Sequence, residues 1–229
     1  MVSYNLLMNQ KIFIVIPAYN EAQRIGKVLE GAKSYASRTI IVDDGSRDAT
    51  YSAIRENFSE VIALRHKINL GKGAALKTGC DAAVKLGADI IVVMDADGQH
   101  NPEDIPRFTE AIQSGNLDIV FGVRHIGREM PLASFLGNKF LTVMINFMFN
   151  IFINDTQSGF RAFTKESYEK IRWDASDYAM ETEMIVNAGQ AELRYGEVDI
   201  ATIYHDKYKG TTPLDGIVIF FKMLKWKFL

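Results

Sequence analysis

Ile90-Ile91-Val92-Val93-Met94-Asp95-Ala96-Asp97-Gly98-Gln99-His100 decides the fold of this chain. Five apolar residues, four of them β-branched, stop abruptly at two carboxylates one residue apart. The apolar run reads as a short strand buried on both faces. The two acids cannot continue that core, because an unpaired buried carboxylate is very unfavourable. They mark the point where the strand leaves the sheet, and in an open α/β sheet that carboxyl edge is where ligands bind. An Asp-x-Asp at a strand exit can fold both carboxylates around one cation. Hard oxygen donors with spare coordination positions suit Mg2+ or Mn2+ bridging a diphosphate. Taken alone, the stretch fits a solvated turn equally well, since Asp and Gly are common turn residues.

The pattern recurs on both sides of this stretch. Lys11-Ile12-Phe13-Ile14-Val15-Ile16-Pro17 reads as a buried strand ended by proline. Ala18-Tyr19-Asn20-Glu21 makes a turn, and Asn20 can cap a helix running to about Tyr35. Thr39-Ile40-Ile41-Val42 is a strand that also ends in paired acids, Asp43-Asp44, before a Gly45-Ser46-Arg47-Asp48 turn. Val61-Ile62-Ala63-Leu64 is another short strand, and Gly71-Lys72-Gly73 opens a helix over residues 74–86. Glycines ahead of a helix expose backbone N–H groups and the lysine adds a mobile positive charge, an anion-binding arrangement. A plain helix start explains the same residues, and the spacing is not that of a Walker A loop. Downstream come a helix over residues 102–113, the strand Leu117-Asp118-Ile119-Val120-Phe121-Gly122, and a loop with Arg124 and Arg128. This alternation predicts an α/β fold, a Rossmann-like, mostly parallel sheet with helices on both faces.

Composition narrows the function. With 229 residues, 48% hydrophobic and 24% charged, the chain is an ordinary globular protein. No repeat, low-complexity tract or linker divides it, so one domain over residues 1–229 is expected. A net charge of −2 gives no basic field for nucleic acid. The single cysteine, Cys80, excludes an internal disulfide framework and a cysteine-based zinc site, and it reads as a small core residue. Residues 1–10 carry no basic region followed by an apolar core, so no secretory signal is read there. The longest uncharged run, residues 140–154, is interrupted by Asn146 and Asn150. It falls short of the roughly 18 apolar residues of a spanning helix.

The second half is less regular. Residues 132–153 are rich in Phe and Met and read as one helix or two, either packed in the core or lying on a bilayer. Asp155 to Phe163 combine an acid, small turn residues and Arg161. A helix around residues 181–188 carries Glu181 and Glu183, residues 197–204 alternate like a half-buried strand, and a lysine-bearing loop with Lys207 follows. Residues 214–229 set Lys222, Lys225 and Lys227 beside Phe220, Phe221, Trp226 and Phe228. Such a basic–aromatic segment can sit at an anionic membrane surface or pack its apolar face on the sheet.

Five motifs follow in order: Ile16-Pro17-Ala18-Tyr19-Asn20-Glu21, Val42-Asp43-Asp44-Gly45-Ser46, Gly71-Lys72-Gly73, Asp95-Ala96-Asp97-Gly98-Gln99 and Gln157-Ser158-Gly159-Phe160-Arg161. Together, over about residues 11–212, they resemble the family 2 glycosyltransferases, above all the polyprenyl-phosphate (dolichol-phosphate) mannose and glucose synthases. The resemblance implies a GT-A fold, a nucleotide-diphosphosugar donor, Mg2+ or Mn2+, and inversion at the anomeric carbon. It implies a donor half over residues 11–125 and an acceptor half with amphipathic helices over residues 126–229. Pro17, Tyr19 and Glu21 would line the base pocket, with Asp43, Gly45 and Ser46 holding base or ribose. Lys72 would lie near the nucleotide, and Asp95 and Ala96 would close the pocket. Asp97 and Gln99 would hold the metal, with Asp95 contributing directly or through water. Arg124 matches the family's phosphate-meeting arginine. Arg128, Asn138, Arg161 and Lys207 would face the acceptor phosphate. Lys207 replaces the arginine usual in mannose synthases, which keeps the charge and loses the bidentate geometry.

The chemistry asked of these residues is to stabilise negative charge on a departing nucleoside diphosphate. A lipid phosphate is already anionic and needs no strong base, whereas a hydroxyl acceptor on a glycan or protein needs a carboxylate to take its proton. Glu181, Glu183 and Asp155 are the candidates, with Glu183 and Asp155 assigned to catalysis. Glu181 and Glu183 lie about 200° apart around a helix, so only one can face a substrate. The expected activity is transfer from a nucleotide sugar, UDP-sugar in preference to GDP-mannose, to a polyprenyl phosphate by a peripheral protein on the cytoplasmic membrane face. Two alternatives stay open here: a hydroxyl acceptor, and a nucleotide-binding module without activity.

Overall fold

The structure, a computed structural model, describes residues 10–124, 132–201 and 213–228. The described strands are β1 (Ile12–Ala18), β2 (Arg38–Asp43), β3 (Ile62–Arg65), β4 (Ile90–Val93), β5 (Ile119–Arg124), β6 (Arg161–Thr164) and β7 (Tyr195–Ile200). They form one sheet in the order β3-β2-β1-β4-β6-β5-β7. All pair in parallel except β6, which runs antiparallel to both β4 and β5.

Side-chain alternation sorts the core into two layers. Phe13 and Val15 of β1 and Ile91 and Val93 of β4 pack on one face, against α3 (Lys72–Lys85), α5 (Leu132–Phe149), α7 (Ala179–Gln190) and α8 (Pro213–Phe228). Ile14, Ile16, Ile90 and Val92 pack on the other, against α1 (Ile25–Ala32), α2 (Thr50–Asn57) and α4 (Ile105–Gly115). Every residue of β4 is buried, as a strand covered on both faces requires. Each such side chain stabilises the fold by about 1.5–3 kcal/mol. Cys80 is fully buried in α3, as its apolar setting implied.

The second half departs from the expected elements. The fifth strand begins at Ile119 rather than at 117 and runs on through Arg124. The 132–153 helix stops at Phe149, because Asn150 takes φ +53, a left-handed conformation that asparagine tolerates. The strand expected over residues 197–204 is β7, which begins earlier, at Tyr195, and runs to Ile200, while residues 202–204 lie outside the described residues. Residues 161–164, which lie in a segment of turn residues by sequence, form β6, and α6 (Lys165–Ile171) follows with Thr164 accepting the Ser167 N–H as cap.

Candidate active site

The parallel register brings the carboxyl ends of three neighbouring strands to one edge, with Ala18 beside Asp43 and Val15 beside Val93. The loops leaving these strands enclose a cavity of about 430 Å3. Pro17, Ala18, Tyr19 and Glu21 line it from β1, Asp44 from β2, and Asp95, Ala96 and Asp97 from β4. Asn69, Gly71, Lys72 and Ala75 line it at the start of α3, and Asp177 and Tyr178 close it ahead of α7.

Lys72 is the electrostatic hinge of this cavity. Its Nζ lies 2.7 Å from Asp95 Oδ1 and 2.9 Å from Glu181 Oε1. Burial pushes the ammonium down, but the two carboxylates outweigh it and raise it well above the ordinary lysine value. Burial likewise pushes Asp95 up, and Lys72 above all outweighs that and holds it below the usual carboxylate range. Gly159 lets this cluster form, since a Cβ there would sit 2.9 Å from both Asp95 Oδ2 and Lys72 Nζ. Lys72→Met would leave Glu181, only 4% exposed at its side chain, without its cation. Breaking a buried pair from one side costs about 3 kcal/mol. The expected result is a lower denaturant midpoint, with about half the loss recovered when Glu181→Gln is added.

The glycines of Gly71-Lys72-Gly73 have a packing reason. Gly71 adopts φ +98, and a Cβ on it would meet Ser176 O at 2.3 Å. A Cβ on Gly73 would meet Ala175 O at 2.3 Å, and the Gly73 N–H already donates to Ser176 O at 2.8 Å. The helix start is therefore clasped by residues 175–177 and keeps fewer bare N–H groups for an anion than the sequence suggests.

The acidic pair on β2 divides its labour. Asp43 is buried behind the cavity, where it ion-pairs with Arg65 Nε at 2.9 Å and accepts the Ser46 N–H at 3.3 Å. Ser46 Oγ accepts the Asn20 N–H at 2.9 Å, and Gly45 makes the turn at φ +70. Asp44, not Asp43, lines the cavity. Asp43 closes the ladder opposite Ala18, so the sheet holds it, whereas the next residue turns into the exit.

At β4, Asp95 and Asp97 both line the cavity, and Gln99 does not. The Gln99 N–H instead donates to Asp97 Oδ1 at 3.0 Å, forming a tight turn through Gly98 at φ +77. His100 is buried, stacks on Phe160 at 4.9 Å, and accepts the Asp95 N–H on Nδ1 at 3.1 Å. Burial pulls its pKa down, so the neutral ring keeps its hydrogen on Nε2, toward the Asp95 carboxylate. Among the described residues, no three His, Cys, Asp or Glu side chains gather to hold a metal by themselves. Two hard carboxylates on one cavity wall fit an Mg2+ or Mn2+ ion that takes its other ligands from diphosphate and water, and do not fit a zinc site.

Of the remaining sequence candidates, those among the described residues stand apart from the cavity wall. Arg124 grips Asp155 with two hydrogen bonds, Nε to Oδ2 at 2.7 Å and Nη2 to Oδ1 at 3.0 Å. Glu183 accepts the N–H groups of Asp174 and Ala175, both at 2.9 Å, and so fixes the segment that clasps α3. Arg161 is fully buried and donates to the carbonyls of Ser158, Glu181 and Thr156, and burial pulls it down to about 10. Asn138 falls on α5, where its side chain lies outside the described residues, as do Arg128 and Lys207 altogether. Sequence reading passed over Asp44, Asn69, His100, Asp177 and Tyr178. Only the doubling of acids at Asp43-Asp44 offered a signal.

Asp155 makes an acid-stability prediction. Burial pushes its carboxyl up, but Arg124 outweighs that and holds it below the usual range. A carboxyl with a depressed folded value binds protons more weakly than in the unfolded chain. Its stabilisation is complete above the unfolded value, near 4, and is lost as pH falls through the folded one. Asp155→Asn should lower Tm at neutral pH and flatten the decline below about pH 4. Thermal scans from acid to neutral pH check this, and an unchanged acid limb would overturn it.

Comparison with known proteins adds a family to this geometry. The family description "Glycosyl transferase family 2" matches residues 13–172. The chain is 35% identical over 247 residues to UDP-N-acetylglucosamine–dolichyl-phosphate N-acetylglucosaminyltransferase of Methanococcus voltae, covering 96% of this chain and 98% of that protein. It is 27% identical over 237 residues to polyprenol monophosphomannose synthase of Mycolicibacterium smegmatis, covering 95% and 87%. Among solved structures, glucosyl-3-phosphoglycerate synthase from Mycobacterium tuberculosis, crystallised with Mn2+, UDP-glucose and phosphoglyceric acid, superposes with a TM-score of 0.76 at 18% identity. That match covers 98% of this chain and 82% of that one. Likeness at that identity shows a shared fold, the GT-A architecture expected from the sequence.

Proposed function

The chain belongs to glycosyl transferase family 2, and on that premise we propose that it moves a sugar from a nucleoside diphosphate to a polyprenyl phosphate at a membrane surface. The observation that carries the donor reading is the cavity itself, which spans the exits of β2, β1 and β4 with Asp44 at one side and Asp97 at the other. Two strand spacings are about 10 Å, the reach of a nucleoside from base to diphosphate. The base lies at Asp44 and the diphosphate at Asp97.

The donor is a UDP-sugar rather than GDP-mannose. A carboxylate offers about four acceptor sites. Asp44 Oδ1 already takes the Leu70 N–H at 2.9 Å and lies 2.7 Å from His66 Nδ1, and Oδ2 takes the Gly71 N–H at 2.8 Å. One site is left, which suits the single imide N–H of uracil better than the two-donor edge of guanine. The names of the relatives support transfer to a dolichyl or polyprenyl phosphate and leave the nucleotide divided between UDP and mannose chemistry.

Asp97 and Asp95 would hold Mg2+ or Mn2+, which supplies positive charge against the diphosphate as the sugar–phosphate bond breaks. Lys72 keeps Asp95 ionised and oriented. No base is required of the chain, because a phosphate acceptor arrives ionised. The carboxylates considered for a hydroxyl acceptor are engaged elsewhere: Asp155 by Arg124, Glu183 by two backbone N–H groups, Glu181 by Lys72. Among the described residues, no helix is long and apolar enough to cross a membrane. Contact with lipid is assigned to α5 and α8, where Phe147, Phe221 and Phe228 are exposed and Lys225 and Lys227 are exposed on α8. A peripheral position on a membrane surface is part of this reading.

A thermal-shift screen of UDP-, dTDP- and GDP-sugars with and without Mn2+, followed by transfer to polyprenyl phosphate, tests the proposal. A ligand that binds only the folded state raises Tm. UDP-sugars should stabilise the chain most and need the cation. Stabilisation by GDP-mannose alone would overturn the donor assignment, and transfer to a sugar hydroxyl but not to the lipid would overturn the acceptor.

A further inference from the structure

We propose that His66 is a positioning residue for the donor, setting nucleotide affinity through Asp44 without touching the nucleotide; this rests on the reading that Asp44 faces the base. His66 follows β3, and its backbone N–H donates to Asp43 O at 2.9 Å, which carries the β2–β3 ladder one step past the sheet. The ring therefore starts from a fixed backbone. Its Nδ1 lies 2.7 Å from Asp44 Oδ1, and its Nε2 lies 3.0 Å from Thr78 Oγ1 on α3. A carboxylate only accepts, so Nδ1 carries a hydrogen and donates to Asp44. The ring is held at both ends, its side chain is 11% exposed, and it does not line the cavity.

Asp44 in turn holds the N–H groups of Leu70 and Gly71, the residues that lead into Lys72. One imidazole thus links the β2 exit, the loop before α3 and α3 itself. Without it, the Asp44 carboxylate loses one of the three contacts that hold it, and its only side-chain partner among them, so the acceptor site left for the base points less steadily into the cavity. Asp97, two strands away on β4, is unaffected. The consequence is weaker donor binding with the chemical step retained. A residue that merely packed would lower stability and leave KM alone.

The test compares His66→Ala, His66→Asn, Thr78→Val and Asp44→Ala. The readouts are KM and kcat for the nucleotide sugar, UDP affinity by calorimetry, and Tm. His66→Ala should raise KM and the UDP Kd about tenfold with kcat within about twofold, the loss of one charge-assisted hydrogen bond. His66→Asn places an amide N–H near the lost Nδ1–H and should return both to within about threefold. Thr78→Val should fall between. Should His66→Ala fail to fold, His66→Asn and Thr78→Val carry the same comparison. Unchanged KM and Kd in the His66 variants, with Asp44→Ala impaired, would overturn the role of His66 and leave the donor site standing. Unchanged Kd in Asp44→Ala would instead remove the donor-site reading on which the role rests.

Discussion

Asp97→Ala should lower kcat about a thousandfold and abolish the cation-dependent part of the thermal shift given by UDP-sugar. The size follows from what the residue faces. Cleaving a sugar–phosphate bond leaves charge on the nucleoside diphosphate, and removing one preorganised electrostatic partner from such a site costs about 10²–10³ in rate. Asp97 stands on the cavity wall, and its one bond from the described chain is the Gln99 N–H. Asp95 cannot take over, because Lys72 lies 2.7 Å from its Oδ1 and already offsets its charge. The alanine variant breaks no ion pair among the described residues, so its Tm without ligand should stay within a few degrees of the parent. That separates it from Lys72→Met, which loses stability with or without nucleotide. A variant that transfers sugar at the parental rate would remove Asp97 from the site.

The parts of this fold that were legible in the sequence are those where local pattern and tertiary role coincide. β1, β2 and β4 are apolar runs that end in polar turns, and a parallel sheet needs both features at once. The same coincidence marks Asp95, Asp97 and Lys72, all three of which line the cavity. β6 was hidden because its first residue is an arginine. Residue-type reasoning sends a charge to the surface, but three backbone carbonyls satisfy Arg161 inside the protein. Glu183 and Asp155 carry a related ambiguity. A carboxylate that caps a loop and one that moves a proton look alike in sequence, and only the partners distinguish them. The choice between Asp43 and Asp44 depended on which residue is last in the ladder, a boundary that pattern does not resolve to one position.

Replacing Phe147 and Phe221 together by glutamate should weaken binding to vesicles of about one-third anionic lipid by about a hundredfold, roughly 2.7 kcal/mol. Phe147 is 86% exposed and Phe221 is 64% exposed. On α5, residues 140, 143 and 147 follow helical spacing and form one apolar stripe with Phe140 and Val143. On α8, Val218, Phe221 and Phe228 do the same, and Phe140 meets Phe220 across the two helices at 5.9 Å. Full burial of a phenylalanine is worth about 1.5–3 kcal/mol, and an interface buries each ring only in part. Two rings therefore account for the expected loss before any repulsion of the new carboxylates. Exposed Lys139, Lys225 and Lys227 give the patch its sign, at about 1 kcal/mol each near an anionic surface. Binding should accordingly fall with salt and with zwitterionic lipid, which burial of apolar rings alone would not produce. Transfer to a short, water-soluble polyprenyl phosphate should be spared in the double variant, because neither ring lines the donor cavity. A parent chain that stays in the supernatant with anionic vesicles, or that pairs with itself through this face in sedimentation, would assign the patch to something other than lipid.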